Sequence, residues 1–309
     1  MHEQLNEADA VASTIGAPPV APADLEQQLA QAWAVRQAHF PPTLQASYPL
    51  DTANISLTGE HCALACAHCG GHYLAHMVPV RRALEQARGA TSLLISGGCD
   101  PSGRVPVTRE ALAVVRELRP GRKLNWHVGL VNEEEADRIA PYVDVISFDM
   151  VGDDDTIREV YGLEARVADY VGTYQMLRRR FRVVPHVTIG LRGGKLGHER
   201  PALRLLAELA PEETVFLVLI PTLGTRYASA TPPAVEAVAA LLAEARRLLP
   251  RVRLGLGCMR PHGPYRAALD VLAVQAGVNG IVSPARTALQ EAEQRGLQVL
   301  QTRECCVFA

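Results

Sequence analysis

Residues 55–77, ISLTGEHCALACAHCGGHYLAHM, join the end of a short apolar strand to a loop with three closely spaced cysteines. Cys62, Cys66 and Cys69 have the spacing C-x3-C-x2-C. Three thiolates this close in sequence can bind three irons of a cubane cluster and leave the fourth iron without a protein ligand. Zinc is the alternative, because it needs a fourth ligand and histidines lie nearby. These histidines are His61, His68, His72 and His76.

Outside this loop, short apolar or β-branched runs alternate with amphipathic helical stretches. The predicted strands are residues 54–57, 92–96, 124–128, 143–148, 183–189, 215–220, 252–256 and 280–282. Such alternation predicts parallel strands with right-handed crossovers, and about eight units is the count at which a parallel sheet can close. We therefore predict an α/β fold, a (β/α)8 TIM-type barrel. An open doubly wound sheet is the alternative.

The chain divides into four predicted regions. Residues 1–21 are polar and rich in Ala and Pro, which predicts a disordered leader. Residues 22–50 form an N-terminal helical extension, with a helix over residues 22–40 that Asp24 can cap. Residues 51–296 form the barrel. Residues 297–309 form a C-terminal tail that contains two cysteines.

Composition excludes several classes of protein. The 309 residues include 31 Lys and Arg against 33 Asp and Glu, and this net charge of −2 disfavours nucleic-acid binding. No apolar run approaches the ~20 residues of a membrane helix, so we expect no membrane partner. The N-terminus lacks the features of a signal peptide, which predicts a cytoplasmic protein. Seven cysteines in that reducing compartment favour metal ligation or catalysis over disulfides.

Once its position after a strand is included, the cysteine motif resembles that of the radical S-adenosylmethionine (SAM) superfamily. The likeness extends to the ring-bearing residue before the third cysteine, here His68. The resemblance implies a 4Fe-4S cluster on Cys62, Cys66 and Cys69, with SAM chelated at the open iron, and it favours the cluster over zinc. An electron donor would reduce the cluster, and SAM would be cleaved to a 5′-deoxyadenosyl radical that abstracts a hydrogen atom.

The same resemblance suggests residues that contact SAM. Ser96, Gly97 and Gly98 stand where the superfamily usually has Gly-Gly-Glu facing the methionine amino group, although Cys99 and Asp100 replace the acidic residue. A plain turn at the strand end is the alternative. Ser147 and Asp149 stand where the family often binds the ribose, although Asp149 could instead cap the next segment. His186 is expected in the core, and Glu199 at a helix start.

Four further cysteines predict a second site. Cys99 follows the second predicted strand and Cys258 the seventh, so in a barrel both would lie on the carboxyl-terminal face. Cys305 and Cys306 lie in a tail that could fold across a mouth of the barrel. These positions predict a second 4Fe-4S cluster on Cys99, Cys258 and at least one cysteine of the terminal pair. Scattered structural thiols are the alternative.

From about residue 54 onwards the chain resembles the biotin synthase and lipoyl synthase group, and more narrowly the split, two-protein lipoyl synthase. The segments that carry this likeness are HCALACAHCGGHYLAHM, SGGCDPSGRVP, IPTLGT, CMRPHG, AGVNGIVSP and ECC. The resemblance implies sulfur insertion into an unactivated C–H bond of an octanoyl-lysyl carrier protein or peptide, with a second radical SAM subunit as partner. The alternatives are a cofactor-building radical SAM reaction without sulfur transfer and a non-enzymatic iron–sulfur or zinc protein.

Two charged runs have plainer interpretations. Arg178–Arg180 and Arg182 lie at a predicted helix end, where cations interact favourably with the helix dipole. Docking of an acidic carrier domain is the alternative. Residues 153–155, three consecutive aspartates, are typical of a helix start rather than a cation site.

Overall fold

A computed structural model describes residues 22–308, and the predicted disordered leader, residues 1–21, lies outside the described residues. Within that range the chain forms one sheet of eleven strands with every neighbouring pair parallel. The strands are β1 (Thr43–Ser47), β2 (Thr52–Ser56), β3 (Val78–Pro79), β4 (Ser92–Ser96), β5 (Lys123–Trp126), β6 (Val145–Asp149), β7 (Val183–Ile189), β8 (Glu213–Val218), β9 (Arg253–Leu256), β10 (Gly280–Val282) and β11 (Gln298–Thr302). Their order across the sheet is β11-β1-β10-β9-β8-β7-β6-β5-β4-β2-β3.

The predicted α/β class with parallel strands is confirmed, whereas the predicted count of eight strands is too low. The three additional strands are β1, β3 and β11, and in the described residues β3 and β11 stand at opposite edges of the sheet. Only residues 48–51 separate β1 from β2, although these two strands lie near opposite ends of the strand order. Five Cα steps span about 19 Å at most, so the sheet must curl back towards itself. The architecture is therefore a curled, TIM-like half-barrel.

Helices cover the convex face of the sheet. They are α1 (Pro22–His39), α2 (Ala83–Gln86), α3 (Arg109–Leu118), α4 (Glu133–Ile139), α5 (Asp154–Thr156), α6 (Val167–Arg178), α7 (Glu199–Leu209), α8 (Val235–Leu248), α9 (Pro264–Gln275) and α10 (Arg286–Gln294). The helix predicted over residues 22–40 corresponds to α1, which packs on α8 through the buried Leu25, Leu29 and Ala32. Across residues 22–308, the helices lack the combination of length and apolar character that a membrane crossing requires.

Side chains alternate between the two faces of each strand, as the pleat of a strand requires. Trp126, Ile146 and Phe216 are buried in the main core between the sheet and the helices. Val145 and Val215 belong to a separate small cluster. That second cluster lies on the concave face of the sheet, which encloses the lumen of the half-barrel.

The C-terminal tail closes the lumen at the amino-terminal ends of the strands. The Cys305 N–H donates to Thr52 Oγ1 (2.9 Å) at the first residue of β2, and Lys123 Nζ donates to Glu304 (2.7 Å) at the first residue of β5. Val307 is fully buried against valines of β6, β7 and β8. The tail therefore folds across the end of the lumen at the strand starts, opposite the end that carries the cysteine loop.

Candidate functional site

The loop after β2 brings the motif cysteines together by a tight turn. The N–H groups of Cys69 and Gly70 both donate to the carbonyl of Cys66, at 3.3 and 2.9 Å. Gly70 and Gly71 have φ values of 50° and 80°, a left-handed conformation that glycine adopts without strain. The Cys66 thiol hydrogen-bonds to Cys69, which lowers the pKa of Cys69 to about 4 and raises that of Cys66. Three thiols, one of them readily deprotonated, fit an iron–sulfur cluster.

The end of β4 supports this loop from below. A Cβ on Gly98 would collide with the His61 carbonyl oxygen and lie 2.6 Å from Cys62 Cβ, so only glycine fits. The Gly98 N–H donates to Thr58 Oγ1 at 2.7 Å. The structure thus places the predicted SAM-contacting segment 96–98 directly beneath the cysteine loop. Contact of this segment with SAM stays a prediction.

Cys99 belongs to the same end of the lumen. Its N–H donates to Cys62 Sγ at 3.3 Å, and its carbonyl accepts from the Ala63 N–H at 2.8 Å. Burial, with the nearby Cys62 and Asp149, raises the pKa of Cys99 to about 12. Asp100, the other residue in place of the superfamily's glutamate, folds back on its own turn by accepting from the N–H and hydroxyl of Ser102.

A group of imidazoles and a carboxylate lines the lumen below the loop. Asp149 Oδ2 lies 3.3 Å from His127 Nε2, and the rings of His127 and His186 stack with centroids 6.4 Å apart. Burial alone would raise the pKa of Asp149, but His127, with the charges of His186 and His68, lowers it to about 2. Burial opposes protonation of His127, yet Asp149 raises its pKa. His127 was not predicted from the sequence, although it lies two residues after the inward-facing Asn125.

Ser147 lies deeper in the lumen wall than Asp149. Its hydroxyl donates to Asn125 Oδ1 at 3.0 Å, and its N–H donates to the same oxygen at 3.2 Å. The Asn125 amide in turn donates to Cys305 Sγ at 3.8 Å. Ser147 is only 4% exposed. Its hydroxyl is linked to Cys305 of the tail through the Asn125 side chain. Binding of ribose by Ser147 and Asp149 stays a prediction, and Asp149 is the more accessible of the two.

A second set of cysteines, called the lower group here, consists of Cys305 and Cys306 in the tail together with Cys258 in the loop after β9. The Cys306 thiol hydrogen-bonds to Cys305 and, with the Val307 N–H and Asn125, lowers the pKa of Cys305 to about 7. Loss of hydration inside the lumen raises the pKa of Cys258, and the nearby Cys305 adds to this. Cys258 is therefore within electrostatic range of the terminal pair, whereas Cys99 lies beside Cys62. The predicted set of Cys99, Cys258 and the terminal pair is divided between two places.

A buried ion pair anchors the loop that carries Cys258. Arg260 donates to both carboxylate oxygens of Asp270, at 2.7 and 2.8 Å, and both residues are fully buried. Arg260 also donates to the carbonyl of Gly257 at 2.6 Å. Loss of either partner would leave an unpaired buried charge, which costs about 3–5 kcal/mol. This pair therefore fixes the backbone beside Cys258.

The four histidines predicted as alternative zinc ligands do not lie together around one site. His61, His72 and His76 are exposed, and His72 Nδ1 is 3.0 Å from the carbonyl of Cys69. His68 packs edge-on against Tyr161, with its Nδ1 buried and without a protein hydrogen-bond partner. Across residues 22–308, no group of three or more His, Cys, Asp or Glu is arranged to hold a single metal ion.

The remaining charged signals have structural roles. Each arginine of the run 178–182 has a protein partner. The pairs are Arg178 with the carbonyls of Leu209 and Ala210, Arg179 with Glu133, Arg180 with Asp137, and Arg182 with Glu213. Asp153 caps α5 by accepting from the Thr156 N–H at 2.6 Å. Glu199 begins α7 and accepts from the N–H groups of Gly190 and Gly197, as expected for a helix-start carboxylate.

Known proteins resemble this chain in sequence and in fold. Biotin synthase from Bordetella avium (strain 197N) is 25% identical over 267 residues, which cover 82% of this chain and 81% of that protein. The crystal structure of methylornithine synthase (PylB) superposes with a TM-score of 0.66 at 14% identity, over 91% of this chain and 90% of that one. The [FeFe]-hydrogenase maturase HydG from Carboxydothermus hydrogenoformans also gives 0.66 at 14% identity, over 91% and 75%. No family model matches the chain.

The structural likenesses show the fold. Together with the motif Cys62, Cys66 and Cys69 and the similarity to biotin synthase, they support a radical SAM enzyme. A 4Fe-4S cluster and SAM are the cofactors that this class implies. The chemistry of the three thiols and the close fit of Gly98 beneath Cys62 agree with that assignment.

Proposed function

We propose that this chain is a radical SAM enzyme that inserts sulfur into an unactivated C–H bond of an octanoyl chain on a carrier protein or peptide. The observation that carries the proposal is the presence of two cysteine groups in one lumen. Cys62, Cys66 and Cys69 lie in the loop after β2, whereas Cys305 and Cys306 lie in the tail, and Cys258 in the loop after β9 is near enough to interact electrostatically with them. The similarity to biotin synthase supports the same chemistry.

The upper group would hold the catalytic cluster. When bound, the cluster and SAM supply hydrogen-atom abstraction, which opens C–H bonds that acid–base catalysis cannot open. Cys62, Cys66 and Cys69 would bind three irons, and the fit of Gly98 under Cys62 fixes the position of the loop. Asp149 is available at the lumen wall to accept from hydroxyl groups, and His127 orients its carboxylate.

The lower group would hold the cluster that donates sulfur. Cys258 is fixed by the Arg260–Asp270 pair, and the terminal cysteines are fixed by the tail. The tail covers the amino-terminal end of the lumen through Val307, which limits access of water from that side. Leu217, which is only partly buried at the edge of the small cluster around Val307, gives an acyl chain an apolar contact. A second radical SAM subunit would complete the second insertion.

A radical SAM reaction without sulfur transfer is the second candidate. The observation that favours it is the polar middle of the lumen, where His127, Asp149 and His186 face inwards. Such a wall suits a substrate with hydroxyl, amine or carboxylate groups better than it suits a hydrocarbon chain.

Iron content after anaerobic reconstitution tests the proposal. We expect about eight irons per chain in the wild type and about four in Cys258→Ala/Cys305→Ala. Cys99→Ala is the matched control, because Cys99 lies apart from the lower group, and it should keep about eight. A wild-type value near four would reject the sulfur donor. Product analysis then separates the candidates, because only sulfur insertion yields a thiolated octanoyl peptide. Absence of 5′-deoxyadenosine after reduction with SAM would reject radical SAM chemistry.

A further inference from the structure

Both backbone polar groups of Ala67 are bound by loops from elsewhere in the chain. Ala67 lies between Cys66 and Cys69 in the metal-binding turn. Its N–H donates to the carbonyl of Val160 at 2.7 Å, in the segment after β6. Its carbonyl accepts from the N–H of Tyr227 at 3.0 Å, in the loop after β8. The turn is therefore held from two sides.

Glu159 adjoins both of these contacts, because it is the neighbour of Val160 in sequence and its side chain binds Tyr227. Glu159 immediately precedes Val160, and its Oε1 accepts from the Tyr227 hydroxyl at 2.8 Å. Its Oε2 accepts from Arg192 Nε at 2.6 Å, which adds the loop after β7. Its carbonyl accepts from Arg226 Nη2 at 2.5 Å. The side chain and the backbone carbonyl of Glu159 thus connect the segments after β6, β7 and β8 at the mouth of the lumen.

The backbone around Glu159 has an unusual conformation. Residues Ile157–Tyr161 form a single π-helical turn, a rare feature that occurs often at functional sites. Burial slightly opposes ionisation of Glu159, but Tyr227 and Arg192 lower its pKa. Exposed ion pairs taken singly contribute little to stability. We therefore expect Glu159 to affect the arrangement of the loops more than the global free energy of unfolding.

We propose that Glu159 is a positioning residue that holds the Cys66–Cys69 turn in its metal-binding conformation before any metal arrives. The identity of the bound group rests on the proposed function. The Glu159 clamp, meaning the bonds from the Glu159 carboxylate to Tyr227 and Arg192, does not depend on it. Preorganising the turn reduces the ordering that binding must impose on the cysteine loop. Loss of Glu159 should loosen the cysteine loop and leave the rest of the sheet intact.

Amide hydrogen exchange of the metal-free protein tests the clamp. In Glu159→Ala we expect peptides covering residues 62–72 to exchange about tenfold faster than in the wild type, because the two hydrogen bonds from Tyr227 and Arg192 to the carboxylate are lost. Glu159→Asp should recover part of the protection. Asp155→Asn, which breaks the exposed pair with Arg158 in the same segment, is the matched control and should leave these peptides unchanged.

Unchanged exchange over residues 62–72 in Glu159→Ala would overturn the proposal. If the whole variant loosens, peptides of the tail at residues 303–308 will also exchange faster, and Tyr227→Phe then replaces it as the milder test. Tyr227→Phe removes only the hydroxyl contact and should give a smaller acceleration confined to the loop. Iron uptake is measured in parallel. A wild type that binds no iron rejects the proposed function, whereas the exchange result judges the clamp on its own.

Discussion

At Gly98, the addition of a single methyl group should weaken metal binding by the cysteine loop and leave the fold intact. In Gly98→Ala the new Cβ meets the His61 carbonyl and lies 2.6 Å from Cys62 Cβ, so the cysteine loop must move. Overpacking of this kind costs about 1–3 kcal/mol. We expect the variant to fold and to lose most of the iron bound by Cys62, Cys66 and Cys69, as measured by iron analysis after reconstitution.

The matched control is Gly89→Ala, because nothing lies within 4 Å of a Cβ at Gly89. That variant should keep the wild-type iron content. Full iron content in Gly98→Ala, with unchanged amide exchange over residues 58–64, would show that the loop tolerates displacement and that its position is not set by β4.

His186 should make stability depend on pH. Burial and the neighbouring His127 lower the pKa of His186 to about 4, whereas an unfolded histidine titrates near pH ~6.5. Between these values the unfolded chain binds more protons at this site than the folded chain, so the free energy of unfolding falls as the pH is lowered from about 6.5 to about 4. His186→Phe should flatten this part of the curve.

Urea unfolding of the metal-free protein at several pH values measures this slope. Asp149 does not confuse the result, because its pKa is lowered to about 2 and its contribution is lost below the window. His127 acts on the other side, because its pKa is raised and its contribution is lost as the pH rises above about 6.5. Equal slopes in the wild type and His186→Phe between pH ~4 and ~6.5 would contradict the assignment.

At the scale of elements, apolar runs made most central strands predictable, whereas β1 and the two edge strands β3 and β11 were not predicted. The bounds predicted for β4, β7 and β10 are those observed, because these runs are mostly apolar and lie between other strands. The strands β1 and β11 read TLQAS and QVLQT, which have no such run. β11 is an exposed edge, where burial places little demand on sequence. β3 has only two residues, which is too short for any periodic pattern.

The site was predictable only where it is local in sequence. The spacing of Cys62, Cys66 and Cys69 is enough to place three thiols in one loop. The position of Cys305 depends on contacts with Thr52 and Asn125, which are 253 and 180 residues away along the chain. No local pattern encodes such contacts, and so the sequence could not separate Cys99 from the lower group. Strand alternation from Asn125 would have predicted His127, had β5 been read as facing a lumen.

At the scale of the whole molecule, the carboxyl ends and the amino ends of the strands carry different structures. Loops at the carboxyl ends hold the cysteine motif, and the tail closes the amino ends. The tail is tied by the Arg303–Asp51 pair at 2.7 Å and by Arg182 Nη1, which donates to the carbonyl of Val307 at 2.5 Å. Because no hydrogen bond joins the tail to the cysteine loop in the described residues, the two ends should respond separately to substitutions.

Truncation after Thr302 tests this separation in the metal-free protein. The truncated chain keeps β11 but loses the ion pairs of the tail and uncovers Val145, Val184 and Val215. We expect the free energy of unfolding to fall by about 3 kcal/mol, and amides at the starts of β5 to β8 to exchange faster. Peptides covering residues 58–72 should keep their wild-type exchange.

Val307→Ala is the milder companion to this truncation. It removes two methyl groups from a fully buried position, and it should cost about 2 kcal/mol while every tail hydrogen bond stays in place. If either variant instead loosens the cysteine loop as much as the strand starts, the lumen transmits strain along its whole length. The tail would then be a structural support of the upper site, and an iron loss seen on changing Cys305 could no longer be assigned to a lost ligand.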